Sequence, residues 1–178
     1  MKIILFFYCV LCSFQTIAQT QSNIDTIYWT PSYKLKWEDF QAKPDSNSKF
    51  KAVTAASINY TITNDEKSFS YKVSCVFYKK RSWRLSNENI LLQHEQGHYD
   101  LAELFARKMR LAFKKYKFSN PATVKNDIKK IATTIRAERD RINVLYDKET
   151  NFSINKKKQL YWSNKIKAEL KALEAYSK

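Results

Sequence analysis

The two histidines of this 178-residue chain lie four positions apart, with its only glycine between them. His94, Glu95 and His98 form the pattern H-E-x-x-H. On a helix, the two histidines lie one turn apart on the same face, so both imidazoles can bind one metal ion. Glu95 lies about 100° round the helix from His94, where its carboxylate can take a proton from an attacking water molecule. The pattern predicts a zinc ion bound by His94 and His98, with Glu95 as the catalytic general base.

The composition makes this motif rare by chance. With two histidines and nine glutamates in the chain, H-E-x-x-H arises at random in roughly one such sequence in two thousand. Two other interpretations remain: the histidines face solvent beside a surface glutamate, or the helix binds zinc without catalysing a reaction. Two histidines exclude a three-histidine zinc site, and a single glycine excludes the glycine-rich loops that bind nucleotides.

The front half of the chain is predicted to form strands. Apolar and polar residues alternate over residues 56–62 and 69–77, which is typical of half-buried antiparallel strands. Residues 33–37 are predicted to add a short strand. A strand beside the metal-binding helix, such as residues 69–78, could pair with an extended peptide. Cys75 shares the apolar face of its strand, which predicts a buried and unreactive thiol.

The back half is predicted to be helical. A first long helix covers about residues 89–117 and carries the metal motif. Asn120 followed by Pro121 favours the start of a second helix, and a third covers about residues 155–176. Strands followed by three helices indicate an α+β fold. We expect this fold to be zincin-like, with the metal motif on the first long helix.

Residues 1–18 have the features of a secretory signal peptide. Lys2 precedes an apolar run over residues 3–14, and small residues precede Gln19. The run is shorter than the ~20 apolar residues that span a membrane, so we expect no transmembrane segment in the mature chain. Residues 19–178 are long enough for a single domain. The sequence therefore predicts a secreted or periplasmic protein of one domain.

The chain is strongly basic, with a net charge of +15. This excess favours contact with an anionic envelope surface, and the alternative is that it only increases solubility. Nucleic acid is not an expected partner, because the protein is predicted to be exported and has no base-reading motif. Cys75 is the only cysteine beyond the predicted signal peptide, so no intrachain disulfide is expected.

The chain resembles a bacterial family of unknown-function domains described as secreted zinc-dependent proteases. The resemblance implies that His94 and His98 are zinc ligands, that Glu95 is the general base, and that the substrate is a peptide or protein. The matching segments are Leu35-Lys36-Trp37-Glu38-Asp39-Phe40, Ser82-Trp83, the stretch from His94 to Leu104, Ala106 to Arg110, Tyr146-Asp147-Lys148-Glu149-Thr150, Gln159 and Trp162.

The third protein ligand is the open question. Members of the family often carry a histidine where this chain has Phe152. The ligand must then be a carboxylate, a tyrosine or Cys75, or the site is weakened. Glu138 is the first candidate, because it shares the apolar stripe of the second helix and a buried carboxylate must be paired or metal-bound. Glu149, at the same angle, and Asp147, in the family stretch, are the alternatives.

The sequence as a whole favours a secreted zinc-dependent metallohydrolase, a peptidase that uses a zinc-activated water and the general base Glu95. A zincin-like envelope protein without activity, which binds a partner or a polyanion, is the rival hypothesis. It is favoured by the charge and by Phe152.

Overall fold

The computed structural model describes residues 25–177. The predicted signal peptide over residues 1–18 therefore lies outside the described residues. Strands come first and helices follow, which confirms the predicted α+β fold with three helices at the end. The elements are β1 (Thr26–Tyr28), β2 (Ala52–Val53), β3 (Ala56–Asn64), β4 (Phe69–Tyr78), β5 (Trp83–Arg84), α1 (Asn89–Lys115), α2 (Val124–Thr150) and α3 (Lys156–Ala172).

The main sheet is an antiparallel hairpin with one added strand. Strands β3 and β4 pair over their whole length, from Ala56 opposite Phe77 to Asn64 opposite Phe69. The turn between them needs no glycine, because a carboxylate oxygen of Asp65 accepts the backbone N–H groups of Lys67 and Ser68. Strand β1 pairs with the other side of β4, which gives the order β1-β4-β3. Strands β2 and β5 form a separate two-stranded pair.

Strand β4 is the central strand of this sheet, and the prediction that it adds a peptide strand stays a prediction. Strand β3 covers one edge of β4, but β1 covers only Val76–Tyr78 of the other edge, so residues 69–74 have no strand partner on that side within residues 25–177. Arg110 donates there to the carbonyl of Val73 at 3.0–3.2 Å. The outer edge of β3 also has no strand partner within residues 25–177, and two arginines of α2 donate to carbonyls near its start. Arg136 donates to the carbonyl of Ile58 at 2.7 Å and Arg139 to that of Ala56 at 3.3 Å.

The predicted short strand at residues 33–37 is absent from the described structure. A 3-10 turn over Trp37–Asp39 replaces its end. The carboxylate of Asp39 accepts the backbone N–H of Lys36 at 2.9 Å and the hydroxyl of Tyr33 at 2.8 Å. A side chain that bonds to the local backbone favours a turn over a strand ladder.

Helix α1 lies at the centre of the molecule, between the sheet on one side and α2 and α3 on the other. Its middle is buried almost all round, and Tyr99, Phe105 and Met109 are at most 1% exposed. Charged groups inside this core are paired: Glu103 accepts from both Arg107 and Arg110 at 3.0 Å. A helix that is enclosed in this way holds its side chains in fixed directions, which a metal site requires.

Helix α2 ends in an unusual turn. Asn151, Phe152 and Ser153 all have positive φ angles, of 48°, 51° and 79°. The left-handed region costs non-glycine residues roughly 1–2 kcal/mol each, so the surrounding structure must hold the turn. The side chain of Asn155 then caps α3 by accepting the backbone N–H of Lys158. None of the helices within residues 25–177 is both long enough and apolar enough to cross a membrane.

Candidate metal centre

The three motif residues lie on α1, where neighbouring elements enclose the helix. His94 is 2% exposed and Glu95 3% exposed, and the side chain of His98 is 17% exposed. The cluster is therefore closed beneath His94 and open to solvent beside His98. The interpretation that both histidines face solvent on a surface helix does not fit this burial.

Asp147 of α2 joins the two histidines. Its Oδ1 atom lies 3.1 Å from Nε2 of His94 and 2.9 Å from Nε2 of His98. The two Nε2 atoms are 3.2 Å apart. These three atoms form a nearly equilateral triangle. Ligand atoms round a tetrahedral zinc ion, with bonds of about 2.0–2.1 Å, lie about 3.3 Å from one another.

The hydrogen bonds behind His94 settle which of its nitrogens carries the proton. The hydroxyl of Tyr146 donates to the backbone carbonyl of His94 at 3.1 Å, which uses its only proton. It must therefore accept from Nε2 of Gln159, 2.7 Å away. The carbonyl oxygen of Gln159 then faces Nδ1 of His94 at 3.1 Å, so Nδ1 is the donor. Nε2 of neutral His94 consequently presents a lone pair.

His98 is held in the same way from α2. Its Nδ1 lies 3.1 Å from the side-chain oxygen of Asn143, an arrangement in which Nδ1 donates. The Nε2 atom of neutral His98 then also presents a lone pair to the centre of the triangle. Two imidazole lone pairs and a carboxylate oxygen converge, and such a set of acceptors is stable only when a cation lies between them.

The electrostatics of the cluster agree with this need for positive charge. Burial alone would lower the pKa of His98, but the hydrogen bond to Asp147 and the charge of Glu95 outweigh it, and the pKa is raised. Burial would raise the pKa of Asp147, but its hydrogen bonds to His94 and His98 outweigh that effect, and the pKa lies far below its usual range. Both shifts arise from the close approach of the Asp147 carboxylate to the imidazoles, an arrangement that favours positive charge between them.

Gly97 makes room for the contact between α1 and α2. The ring of Tyr146 stacks on the His94 imidazole, with the ring centroids 4.6 Å apart. A β-carbon at position 97 would lie 2.8 Å from Cζ of Tyr146, closer than real β-carbon contacts. Tyr146 is fully buried, and its ring packs against His94, His98 and Trp162, so it has no space to retreat. Glycine at this position lets α2 approach the histidines.

Glu95 lies beside the triangle and contributes no atom to it. Its Oε2 atom is buried and has no hydrogen-bond partner within residues 25–177. A buried carboxylate oxygen without a partner is costly, and in native proteins it is usually explained by a ligand or a bound water. The position agrees with the predicted role of a base that does not bind the metal.

The structure does not bring Glu138, the first candidate for third ligand, to the histidines. It is half exposed, and its carboxylate lies 3.7 Å from Nζ of Lys108. The buried stripe of α2 contains Ala132 and Tyr146, and Glu138 lies off this stripe. The prediction failed because it used the wrong apolar stripe of α2. The stripe that packs on α1 is displaced by about one residue position, and therefore rotated about the helix axis, from the stripe used to place Glu138.

The remaining candidates for the third ligand lie in different places. Glu149 accepts from Nε1 of Trp162 at 3.0 Å and from Lys158 at 3.2 Å, so it ties α2 to α3 away from the histidines. Cys75 is 2% exposed in the sheet core, where burial raises the pKa of its thiol well above the usual value. Among the described residues, Asp147 alone joins both histidines in a group that could hold a metal ion.

Sequence reasoning missed the supporting residues Asn143 and Gln159. Asn143 lies four positions before Asp147, which places both on one face of α2. Gln159 lies in the matching segments of the resemblance, but the sequence alone gives it no role. The sequence did contain one signal for Asn143, which is a polar residue one helical turn from the ligand candidate Asp147.

Comparison with known proteins identifies the family of this chain. A family model described as "Bacterial protein of unknown function (DUF922)" matches residues 16–153, most of the chain. The protein belongs to this family, which confirms the resemblance to a bacterial unknown-function domain. No curated protein matches the chain significantly. The same is true of the solved structures.

Proposed function

We propose that this protein is a secreted or periplasmic zinc-dependent hydrolase that cleaves peptides. The observation that carries the proposal is the triangle of Nε2 of His94, Nε2 of His98 and Oδ1 of Asp147, with edges of 2.9–3.2 Å. All three atoms are acceptors when the two histidines are neutral. In this proposal Asp147, and not Glu138, is the third protein ligand. A peptide substrate is favoured by the family resemblance described above.

The donor set fits zinc better than the other common divalent ions. Two imidazole nitrogens and one carboxylate oxygen are typical of catalytic zinc sites, whereas magnesium and calcium prefer all-oxygen sets. Three protein ligands leave a fourth coordination position open. Water or a substrate can reach it from the exposed side of the cluster, at His98 and Asp147. When bound, zinc supplies a Lewis acid that polarises a carbonyl and makes water acidic enough to react at neutral pH.

The residues of the chain have separate tasks in this proposal. Gln159 and Asn143 hold the two imidazoles with their Nε2 lone pairs turned to the ion. Glu95, with its unpartnered Oε2, takes the proton of the attacking water and returns it to the leaving amine. The enclosure of Glu95 and His94 excludes bulk water from the side where this proton moves.

Zinc stoichiometry combined with the Glu95→Gln variant tests the proposal. The wild-type protein should bind one zinc ion and cleave a mixture of labelled peptides. Glu95→Gln is nearly isosteric and should keep the zinc, while cleavage falls by the ~10²–10⁴-fold that is typical when a general base is lost. Glu138→Gln, in the exposed pair with Lys108, is the control and should change neither quantity.

The rival hypothesis is a zinc-binding envelope protein without activity. Phe152, in place of the family's histidine, favours it, as does the charge of +15. One bound zinc ion with no cleavage by the wild type would support this rival. Loss of zinc in Glu95→Gln would instead show that Glu95 is a ligand. Export is tested separately by mass spectrometry: the exported protein should begin near Gln19, and a retained Lys2 would contradict secretion.

A further inference from the structure

A long groove lies beside the metal centre, and Gly97 and Gln159 belong to the lining of the groove as well as to the surroundings of His94. It has a volume of about 920 Å³ and runs between α1, α3 and the segment that follows β1. Its α3 wall extends from Lys156 to Lys171, nearly the whole helix, and a helix of that length is about 25 Å long. The groove is therefore elongated and suits an extended ligand.

The walls of the groove are mainly apolar. Ile166 and Leu170 are buried along its α3 side, and Leu160 is 63% exposed at its margin. The polar groups on its floor already have partners. Asp100 accepts from Nε1 of Trp29 and from Nε2 of Gln96, both at 2.8 Å. A ligand that lies on this floor gains little from polar groups, so its body should be apolar.

The margin of the groove is positively charged. Four lysines line it, and none of them forms an ion pair within residues 25–177. They are Lys34, Lys156, Lys167 and Lys171. Among the described residues, Glu174 is the only acidic one at the margin, since Asp100 belongs to the floor. Lys167 and Lys171 lie one helical turn apart on the same face, so both can reach one anionic group.

We propose that this groove binds a long-chain fatty acid, with the hydrocarbon chain along the α1–α3 walls and the carboxylate at the lysines of the margin. The shape, the apolar walls and the unpaired lysines together match an anion with a long apolar tail. An extended peptide fits less well, because the two long walls are helices whose backbone groups bond within the helix and offer no strand edge. This inference does not depend on the zinc site.

A fluorescent fatty acid, cis-parinaric acid, is the probe. Its binding to the purified protein should saturate, with displacement by palmitate and much weaker displacement by the uncharged hexadecanol. Ser163→Trp, which fills the middle of the groove, should weaken binding by about tenfold or more, equivalent to ~1.4 kcal/mol. Asn164→Trp introduces the same side chain at the adjacent exposed position, which does not line the groove, and should leave binding within about twofold.

A charge-reversal variant tests the role of the lysines in a second, independent experiment. Lys167→Glu with Lys171→Glu should weaken palmitate but leave hexadecanol unchanged. Lys148→Glu with Lys157→Glu makes the same change of net charge at exposed positions outside the groove and should alter neither. Each titration is run with zinc and with a chelator, so that the outcome is separate from that of the hydrolase assay. Absent probe binding, or equal binding by all variants, would overturn the proposal.

Discussion

The aromatic ring of Tyr146 occupies the space into which a β-carbon at position 97 would project. The ring also stacks on the imidazole of His94, and its hydroxyl donates to the His94 carbonyl. Position 97 on α1 and position 146 on α2 thus determine together how close Asp147 comes to the histidines. The glycine between the two histidines is a packing requirement of the metal centre.

Gly97→Ala should therefore destabilise the protein. On a free helix the change would stabilise by about 1 kcal/mol, because alanine has the higher helix propensity. Here the added methyl group meets a fully buried ring, and such overpacking typically costs ~1–3 kcal/mol. Urea unfolding should show a lower free energy of unfolding than in the wild type. Zinc affinity should also fall, since α2 is pushed away from α1.

A double-mutant cycle with Tyr146→Leu identifies the cause. The smaller side chain removes the atoms nearest to position 97, so Gly97→Ala should cost less in that background. An equal cost in both backgrounds would show that the effect has another origin, and a stabilised single variant would contradict the packing argument.

Local spacing was sufficient to predict the histidine pair and its helix. The four-residue separation of His94 and His98 determines their common face wherever the segment is helical. Strands β3 and β4 were predictable for the same reason, because their alternation is a property of adjacent residues. These predictions needed no knowledge of how the elements pack.

The third member of the cluster depended on the rotation of α2 about its own axis. Each position along a helix turns the side chain by 100°, so an error of one position changes which carboxylate points inward. Two overlapping stripes of apolar residues run along α2, and the one with Ile128 and Tyr146 packs on α1. Tertiary contacts such as Tyr146 against Gly97 select it, and they are not visible in local sequence.

Asp147→Asn should reduce zinc affinity much more than Glu138→Gln. The amide keeps the size of the side chain but loses the negative charge that lies 2.9–3.1 Å from both imidazoles. Residues that only support metal ligands cost about 10–100-fold in affinity when changed, and loss of a ligand should cost at least as much. Competition with a chromogenic chelator measures both variants. Equal affinities, or a larger loss in Glu138→Gln, would contradict the assignment of Asp147.

Gln159→Met should weaken zinc binding by about 10–100-fold without removing a ligand. Methionine has a similar length but offers no strong acceptor to Nδ1 of His94 and no donor to Tyr146. His94 can then protonate at Nε2 or rotate, and both compete with the metal. Gln93→Met, at an exposed position of α1, controls for the change of residue type. Unchanged zinc affinity in Gln159→Met would show that the orientation of His94 has another source.

Asp100→Asn should stabilise the protein at neutral pH. Burial raises the pKa of Asp100 above its usual value, although the hydrogen bonds from Trp29 and Gln96 oppose the shift. The folded state therefore holds the proton more tightly than the unfolded chain does. The stability that the protonated carboxyl provides is complete below the unfolded pKa, ~3.9, and is lost as the pH rises through the higher folded value. The asparagine oxygen can still accept both hydrogen bonds without the cost of a buried charge.

The advantage of Asp100→Asn over the wild type should consequently increase from pH 4 to pH 7. Urea unfolding of both proteins across this range, in the presence of a chelator, measures the difference in the free energy of unfolding. Asp140→Asn removes an exposed carboxylate and controls for the loss of one negative charge. A difference that decreases with pH would mean that Trp29 and Gln96 stabilise the charged form of Asp100 by more than burial destabilises it, and the direction of the pKa shift would then be reversed.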